Sequence, residues 1–250
     1  MTAERKPYGF WTTALWVAAA LALFVDLFPR VEILLLKGTA AGHAIDRNLA
    51  LGALNLALQW AMPILLLLIA VRLRRLTARD YFAWVAARPR ALLLAVAIGL
   101  ALQVVSYAIP YLAGADLTAP GVAQYRAALG AGNPLWLPLF LSWPSIVAAP
   151  LVEESIFRGF LWRGWEAALG GKWTLLLTAL AFAAFHIGRA WDMNAVSAGI
   201  VLTLDFLLGL AFGWLRWRSG SLLPGIVAHL AYNIVPPLLN FTVGALLVYR

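Results

Sequence analysis

No cysteine occurs in the 250 residues. That absence removes disulfides, thiolate zinc sites and a cysteine nucleophile. Charge is scarce too: Asp, Glu, Lys and Arg make up 12 % of the chain, against about 25 % in an average soluble domain. Hydrophobic residues make up 63 %, and the mean hydropathy is +0.84. These values exclude disorder, a secreted disulfide scaffold and an ordinary cytosolic enzyme. They point to an all-α, polytopic transmembrane bundle of about seven or eight helices. The net charge of +8 first suggests nucleic acid. In a chain this apolar, basic loops on an anionic leaflet explain it better, and no nucleic-acid motif is present.

Charge-poor stretches run from about Phe10 to Phe28, Leu51 to Val71 and Ala91 to Ala113. Each approaches the roughly 20 residues that cross a hydrocarbon core. The first follows Arg5 and Lys6 without a small-residue cleavage pattern, so it reads as a retained signal anchor. Leu135 to Val152 is broken by Pro138, Pro144 and Pro150. A helix is expected to start at Pro150, where proline suits a first turn, and to stop at Gly170-Gly171. Trp173 to Gly188 and Asn194 to Leu215 follow. Ser221 to Tyr249 is free of charge, and Pro236-Pro237 is expected to divide it into a seventh and an eighth segment. Residues 1–130 then form N-terminal membrane helices without a specific motif, and 131–250 hold the informative part.

The loop from Arg72 to Arg90 carries six Arg and one Asp, which makes it cytoplasmic by the positive-inside rule. If the Leu135 region dips in without crossing, Lys and Arg divide 12 to 5 between the two sides; if it crosses, they divide 9 to 8. The first arrangement is preferred. It makes the chain a multi-pass protein of the cell membrane, with the Gly170 turn on the cytoplasmic side.

The residues that do not belong in lipid are the informative ones. A central charge costs about 2.5–3.5 kcal/mol on insertion scales. Glu153, Glu154 and Arg158 fall in one apolar segment. Glu154 and Arg158 are four apart in the favoured order. A buried ion pair for helix packing accounts for those two and leaves Glu153 unpartnered, roughly 100° around the helix. An unpaired carboxylate in an apolar bundle often handles protons. His186 ends the next segment, one turn after Phe182. His229 and Asn233 share a face of a third, where they could simply bond a neighbouring helix.

Their depths agree. Glu153 and His186 are 33 residues apart with Gly170-Gly171 midway. Each arm of a hairpin closed there is roughly 25 Å long at 1.5 Å per residue. Counted from Gly220, His229 lies roughly 14 Å deep and Asn233 roughly 20 Å. Three helices therefore bring polar groups to nearly one level.

Glu153-Glu154-Ser155-Ile156-Phe157-Arg158 fits E-E-x-x-x-R, Phe182 to His186 fits F-x-x-x-H, and His229 to Asn233 fits H-x-x-x-N. Order and spacing resemble the CPBP intramembrane proteases, also called type II CAAX prenyl endopeptidases or the abortive-infection family. The likeness covers about Pro150 to Asn240 and includes Gly209, Gly213, Arg216 and Pro224. It implies hydrolysis of a peptide bond inside the membrane, on a membrane-associated and in some relatives prenylated substrate. Eukaryotic relatives remove the last three residues of prenylated CAAX proteins. Bacterial relatives are linked to bacteriocin maturation, self-immunity or surface anchoring.

Amide hydrolysis needs an activated water, an oxyanion stabiliser and a proton for the leaving amine. Glu153 is the candidate base and His186 orients the water. Glu154, paired to Arg158, holds Glu153 and His186 in place. His229 and Asn233 donate to the oxyanion. The family's metalloprotease label implies an alternative in which Glu153, His186 and His229 bind zinc (Zn2+). No H-E-x-x-H occurs, so an ordinary zincin is excluded. Catalysis without a firmly bound metal is the preferred reading. Two other classes stay open: a proton-coupled transporter using the same residues, and a non-catalytic scaffold or immunity protein. Asp205 is expected to pair with a base or line the cavity. Gly209 and Gly213 are expected to permit close helix packing, and Trp residues near segment ends to anchor at the interface.

Overall fold

The computed structural model describes residues 6–27, 45–114, 119–130 and 142–248. Among these the chain is helical, with no strand. Helix α1 is Phe10–Ala22, continued by a π-helical turn, Leu23–Leu27. Next come α2 (Ile45–Leu73), α3 (Ala78–Tyr81), α4 (Pro89–Leu112) and α5 (Ala119–Gly130). A continuous helical run over 144–169 consists of a π-helical turn (Pro144–Ala148), α6 (Ala149–Glu154), a π-helical segment (Ser155–Leu161) and α7 (Trp162–Leu169). It is followed by α8 (Gly171–Phe185) with a 3-10 turn (His186–Ala190), then α9 (Ala195–Ser219) and α10 (Leu223–Val248).

Among the described residues, four stretches are long and apolar enough to cross a membrane: Pro89–Leu112, Gly171–Ala190, Ala195–Ser219 and Leu223–Val248. Phe10–Val25 and Ala57–Leu73 are shorter apolar helices. The chain is an integral membrane protein with an all-α bundle. Apolar side chains cover its outside as well as its core. Leu93, Val104, Tyr111 and Trp173 are all exposed, as a lipid-facing surface requires.

Two boundaries differ from those expected. The run containing Glu153 starts at Pro144, not at Pro150. Pro150 sits inside a helix whose preceding turn is π-helical, so the wider turn absorbs the missing amide. Pro236 and Pro237 do not divide the last segment; both lie inside α10. At 26 residues, that helix is about 39 Å long. It exceeds a roughly 30 Å core, and tilt accommodates the excess. Proline survives within membrane helices when neighbours hold the turn it weakens. Here α10 packs along α4 and α5. Just before the prolines, the Tyr232 hydroxyl donates to Ser106 Oγ at 3.1 Å, and Asn233 is bonded to the 144–148 turn. Of the stretch Leu135 to Val152, expected to dip in without crossing, residues 135–141 lie outside the described residues.

The turn at Gly170 is where the sequence places it. Its φ of +75° is a conformation that favours glycine. Helices α8 and α9 then approach closely. A Cβ at Gly209 would lie 2.8 Å from Ala179 Cα, and one at Gly213 would lie 2.7 Å from Leu175 Cδ1. The G-x-x-x-G pair thus packs one helix against its neighbour within the chain. Asn194 caps α9, its Oδ1 accepting from the Val196 and Ser197 amides at 3.1 and 3.0 Å. The buried core draws on both halves of the sequence. Tyr8, Leu67 and Phe82 pack in one cluster with Phe160, Phe182, Phe212 and Ala228. The N-terminal helices thereby form one wall around 144–169, the segment that carries the two glutamates.

Candidate active site

Glu153 and Glu154 lie at the end of α6, where the π-helical segment begins. Both are buried, as are Arg158 and His229. Arg158 sits one turn on from Glu154, fully enclosed. Its Nη1 donates to Glu154 Oε1 at 3.0 Å, and its Nη2 donates to the Gly209 carbonyl, also at 3.0 Å. The guanidinium lies 4.4 Å from the centre of the Phe182 ring. A charge in an apolar bundle needs such a set of partners. The absence of a side chain at Gly209 lets α9 bring its carbonyl within reach. Arg216 completes the frame, its Nε donating to the Arg158 carbonyl at 3.2 Å.

Glu154 also accepts from His229. Oε1 lies 3.2 Å from His229 Nδ1, and the His229 ring stacks on Phe212 at 4.9 Å. A Cβ on Gly225 would come 3.0 Å from Glu154 Oε2, so glycine there makes room for the carboxylate. Glu154 was expected to hold Glu153 and His186. It holds His229 instead, because adjacent helix positions point roughly 100° apart.

Glu153 faces His186. Its Oε2 lies 3.7 Å from His186 Nε2 and has no hydrogen-bond partner among the described residues. A separation of 3.7 Å is too long for a direct hydrogen bond. It suits two groups that share a third atom. His186 Nδ1 is 2.9 Å from the Phe182 carbonyl. A carbonyl can only accept, so Nδ1 carries the proton, and in the neutral ring Nε2 presents its lone pair to Glu153. Phe182 therefore serves twice: its carbonyl fixes the tautomer of His186, and its ring covers Arg158.

Asn233 stands apart from both pairs. Its Nδ2 donates to the Ser145 carbonyl at 2.7 Å. The cause is local. In the π-helical turn, Ala149 N–H bonds to the Pro144 carbonyl, five residues back. The next such donor would be residue 150, a proline without an amide hydrogen. Asn233 fills that place from α10.

Two charged groups near the site had not been assigned to it. Arg189, three residues past His186, pairs with Asp205 of α9. Asp205 was expected to find a base; the partner's closeness to His186 was not foreseen. The 3-10 turn His186–Ala190 puts it there, and no periodicity announces that turn.

The residues offered for zinc do not fit a three-ligand site. Among the described residues, no group of three or more His, Asp or Glu side chains is disposed to hold a metal ion. His229 Nδ1 is bonded to Glu154, while Glu153 and His186 form a separate pair. Two protein ligands fall short of the usual three of a catalytic zinc.

A helical membrane bundle enclosing two carboxylate–histidine pairs defines the class of polytopic proteins with an intramembrane polar site. Residues 134–235 match the family model described as type II CAAX prenyl endopeptidase Rce1-like. That segment, less than half of the chain, carries the likeness to the family and contains all six residues singled out above. The family is one of CAAX-type proteases, and the match supports a membrane protease in general. No curated protein and no solved structure matches the chain.

Proposed function

We propose that the protein is an intramembrane endopeptidase of the cell membrane that cleaves a membrane-associated peptide with a water activated by Glu153 and His186. The observation that carries this reading is the 3.7 Å approach of Glu153 Oε2 to His186 Nε2, with the tautomer of His186 set by Phe182. A water between them donates one hydrogen to each. Its lone pairs then face the scissile carbonyl. Glu153 takes the proton as the water adds to the carbonyl carbon, and delivers it to the departing amine nitrogen as the C–N bond breaks. The oxyanion is assigned to the second amide hydrogen of Asn233 and to His229, which donates from Nε2 in the doubly protonated ring whose Nδ1–H faces Glu154. Arg158 touches none of the reacting atoms; it positions Glu154. No step is routed through a metal.

The test is cleavage of membrane-anchored peptides, prenylated and not, by purified protein in nanodiscs. Wild type is expected to cleave, and Glu153→Ala and His186→Ala to lose about 10²–10⁴-fold. Chelator treatment is expected to leave cleavage intact. Loss on chelation with recovery on zinc would overturn the metal-free step. Full biological effect from Glu153→Ala would instead mark a scaffold, and Glu153-dependent proton flux in liposomes a transporter.

A further inference from the structure

Pro236 and Pro237 lie inside α10 without ending it. A proline has no amide hydrogen, so the carbonyl four residues before it receives no helical bond. The two carbonyls left in this way are those of Tyr232 and Asn233. The next turn does not replace the missing donors. The positions three and four residues on are Val235, Pro236 and Pro237, none with a polar side chain. The first amide beyond them, that of Leu238, has Ile234 as its helical partner. The side chains of Tyr232 and Asn233 do not fold back either. They donate outward, to Ser106 Oγ and to the Ser145 carbonyl.

Position on the helix ties these acceptors to the site. His229, Asn233 and Pro236 follow one another at four and three residues, so they share one face of α10. The freed carbonyls therefore lie on the face of the two oxyanion donors, within about one turn, or 5.4 Å, of Asn233. Tyr232, Asn233 and Pro236 are half-buried, and the Asn233–Ser145 bond lies at an exposed position. The backbone there is within reach of a ligand. A peptide bond is cut only where its carbonyl is open to water, so the substrate must be unwound at that point. Each unwound residue brings an N–H that lipid cannot satisfy. Donors without acceptors on the substrate thus meet acceptors without donors on α10. Extended peptide advances about 3.4 Å per residue. N–H groups within about two residues of the scissile carbonyl therefore reach acceptors one turn from Asn233.

We propose that the Tyr232 and Asn233 carbonyls, freed by Pro236 and Pro237, bind the main chain of the substrate by accepting N–H groups of its unwound segment beside the scissile bond. The ligand class is an extended peptide main chain, whatever its side chains. This rests on the protease reading above and adds a binding subsite to it.

The experiment uses short palmitoylated peptides of several sequences, each with a set of backbone esters in which oxygen replaces one N–H at a time. Binding is measured on full-length Glu153→Gln protein in nanodiscs, with and without Pro236→Ala and Pro237→Ala, which return the helical donors. Esters near one point of each peptide are expected to bind about three- to tenfold more weakly than the parent. Protein carrying both alanines should bind the parent as weakly, and show no further ester effect. Its unfolding temperature should be no lower than that of the protein with both prolines, which separates lost affinity from lost fold. A flat ester series on the proline-bearing protein overturns the proposal, whatever the variants do. So does an ester effect that survives both alanines. Main-chain contacts ignore side chains, so failure of every sequence to bind overturns it as well. Carbonyl oxygens also take cations. If the alanines alter only the sodium dependence of binding, the carbonyls hold an ion and the proposal fails. If protein with Glu153 intact cleaves nothing, yet ester-sensitive binding requires the prolines, the protease reading fails and the main-chain site stands.

Discussion

Two glutamates side by side have different neighbours here, and the difference divides chemistry from support. Glu153 meets His186 only across 3.7 Å, while Glu154 is hydrogen-bonded to Arg158 and His229; each keeps one oxygen without a partner among the described residues. Removing a partner from a buried ion pair strands the other charge, at a cost of about 3–5 kcal/mol. Arg158→Ala is therefore expected to lower the melting temperature sharply in detergent, as read by thermal unfolding. Glu153→Gln, which removes a charge with no ion-pair anchor as close, should leave it near wild type. Equal losses in the two variants would mean that Glu153 is structural. The residue identities and the order of the motifs were legible in the sequence. That Glu154 would hold His229 was not, because adjacent helix positions diverge by about 100° and only the packed neighbours decide which partner each one finds.

Pro150 gives the helical run 144–169 its most informative local feature. The spacing of prolines suggested a helix that begins at Pro150. The chain instead widens into a π-helical turn, and a side chain from α10 supplies the missing donor. That substitution of one donor for another makes a coupling measurable. Asn233→Ala is expected to destabilise the protein because the Ser145 carbonyl loses its partner. In a Pro150→Ala background the restored amide can reach that carbonyl, and the same change should cost less. A double-mutant cycle by thermal unfolding should show coupling of about 0.5–3 kcal/mol. Strict additivity would disconnect Asn233 from the proline. Pattern reading located the Gly170 hairpin and the α8–α9 packing, since both depend on glycine at fixed positions. It missed the continuity of α10, because proline breaks helices in water more readily than between packed neighbours in a membrane.

Across the whole bundle, the site sits far from the turn that builds it. Helix α8 runs 15 residues from Gly171 to Phe185, or about 23 Å at 1.5 Å per residue. A hydrocarbon core is roughly 30 Å thick, so His186 and the turn after it approach the interface opposite Gly170. The preferred division of Arg and Lys, with the Leu135 region not crossing, leads us to expect the Gly170 side in the cytoplasm. Substrate would then reach Glu153 and His186 from the outer face. The lack of native cysteine makes this directly measurable, because each introduced thiol is the only one present. Lys172→Cys and Trp191→Cys both place it at an exposed position, on opposite ends of one helical stretch. In intact cells an impermeant thiol reagent is expected to label Trp191→Cys and spare Lys172→Cys until the membrane is opened. The reverse pattern would invert the bundle and hand the site to cytosolic substrates. Labelling of both, or of neither, in intact cells would show that α8 and its 3-10 turn do not span the core.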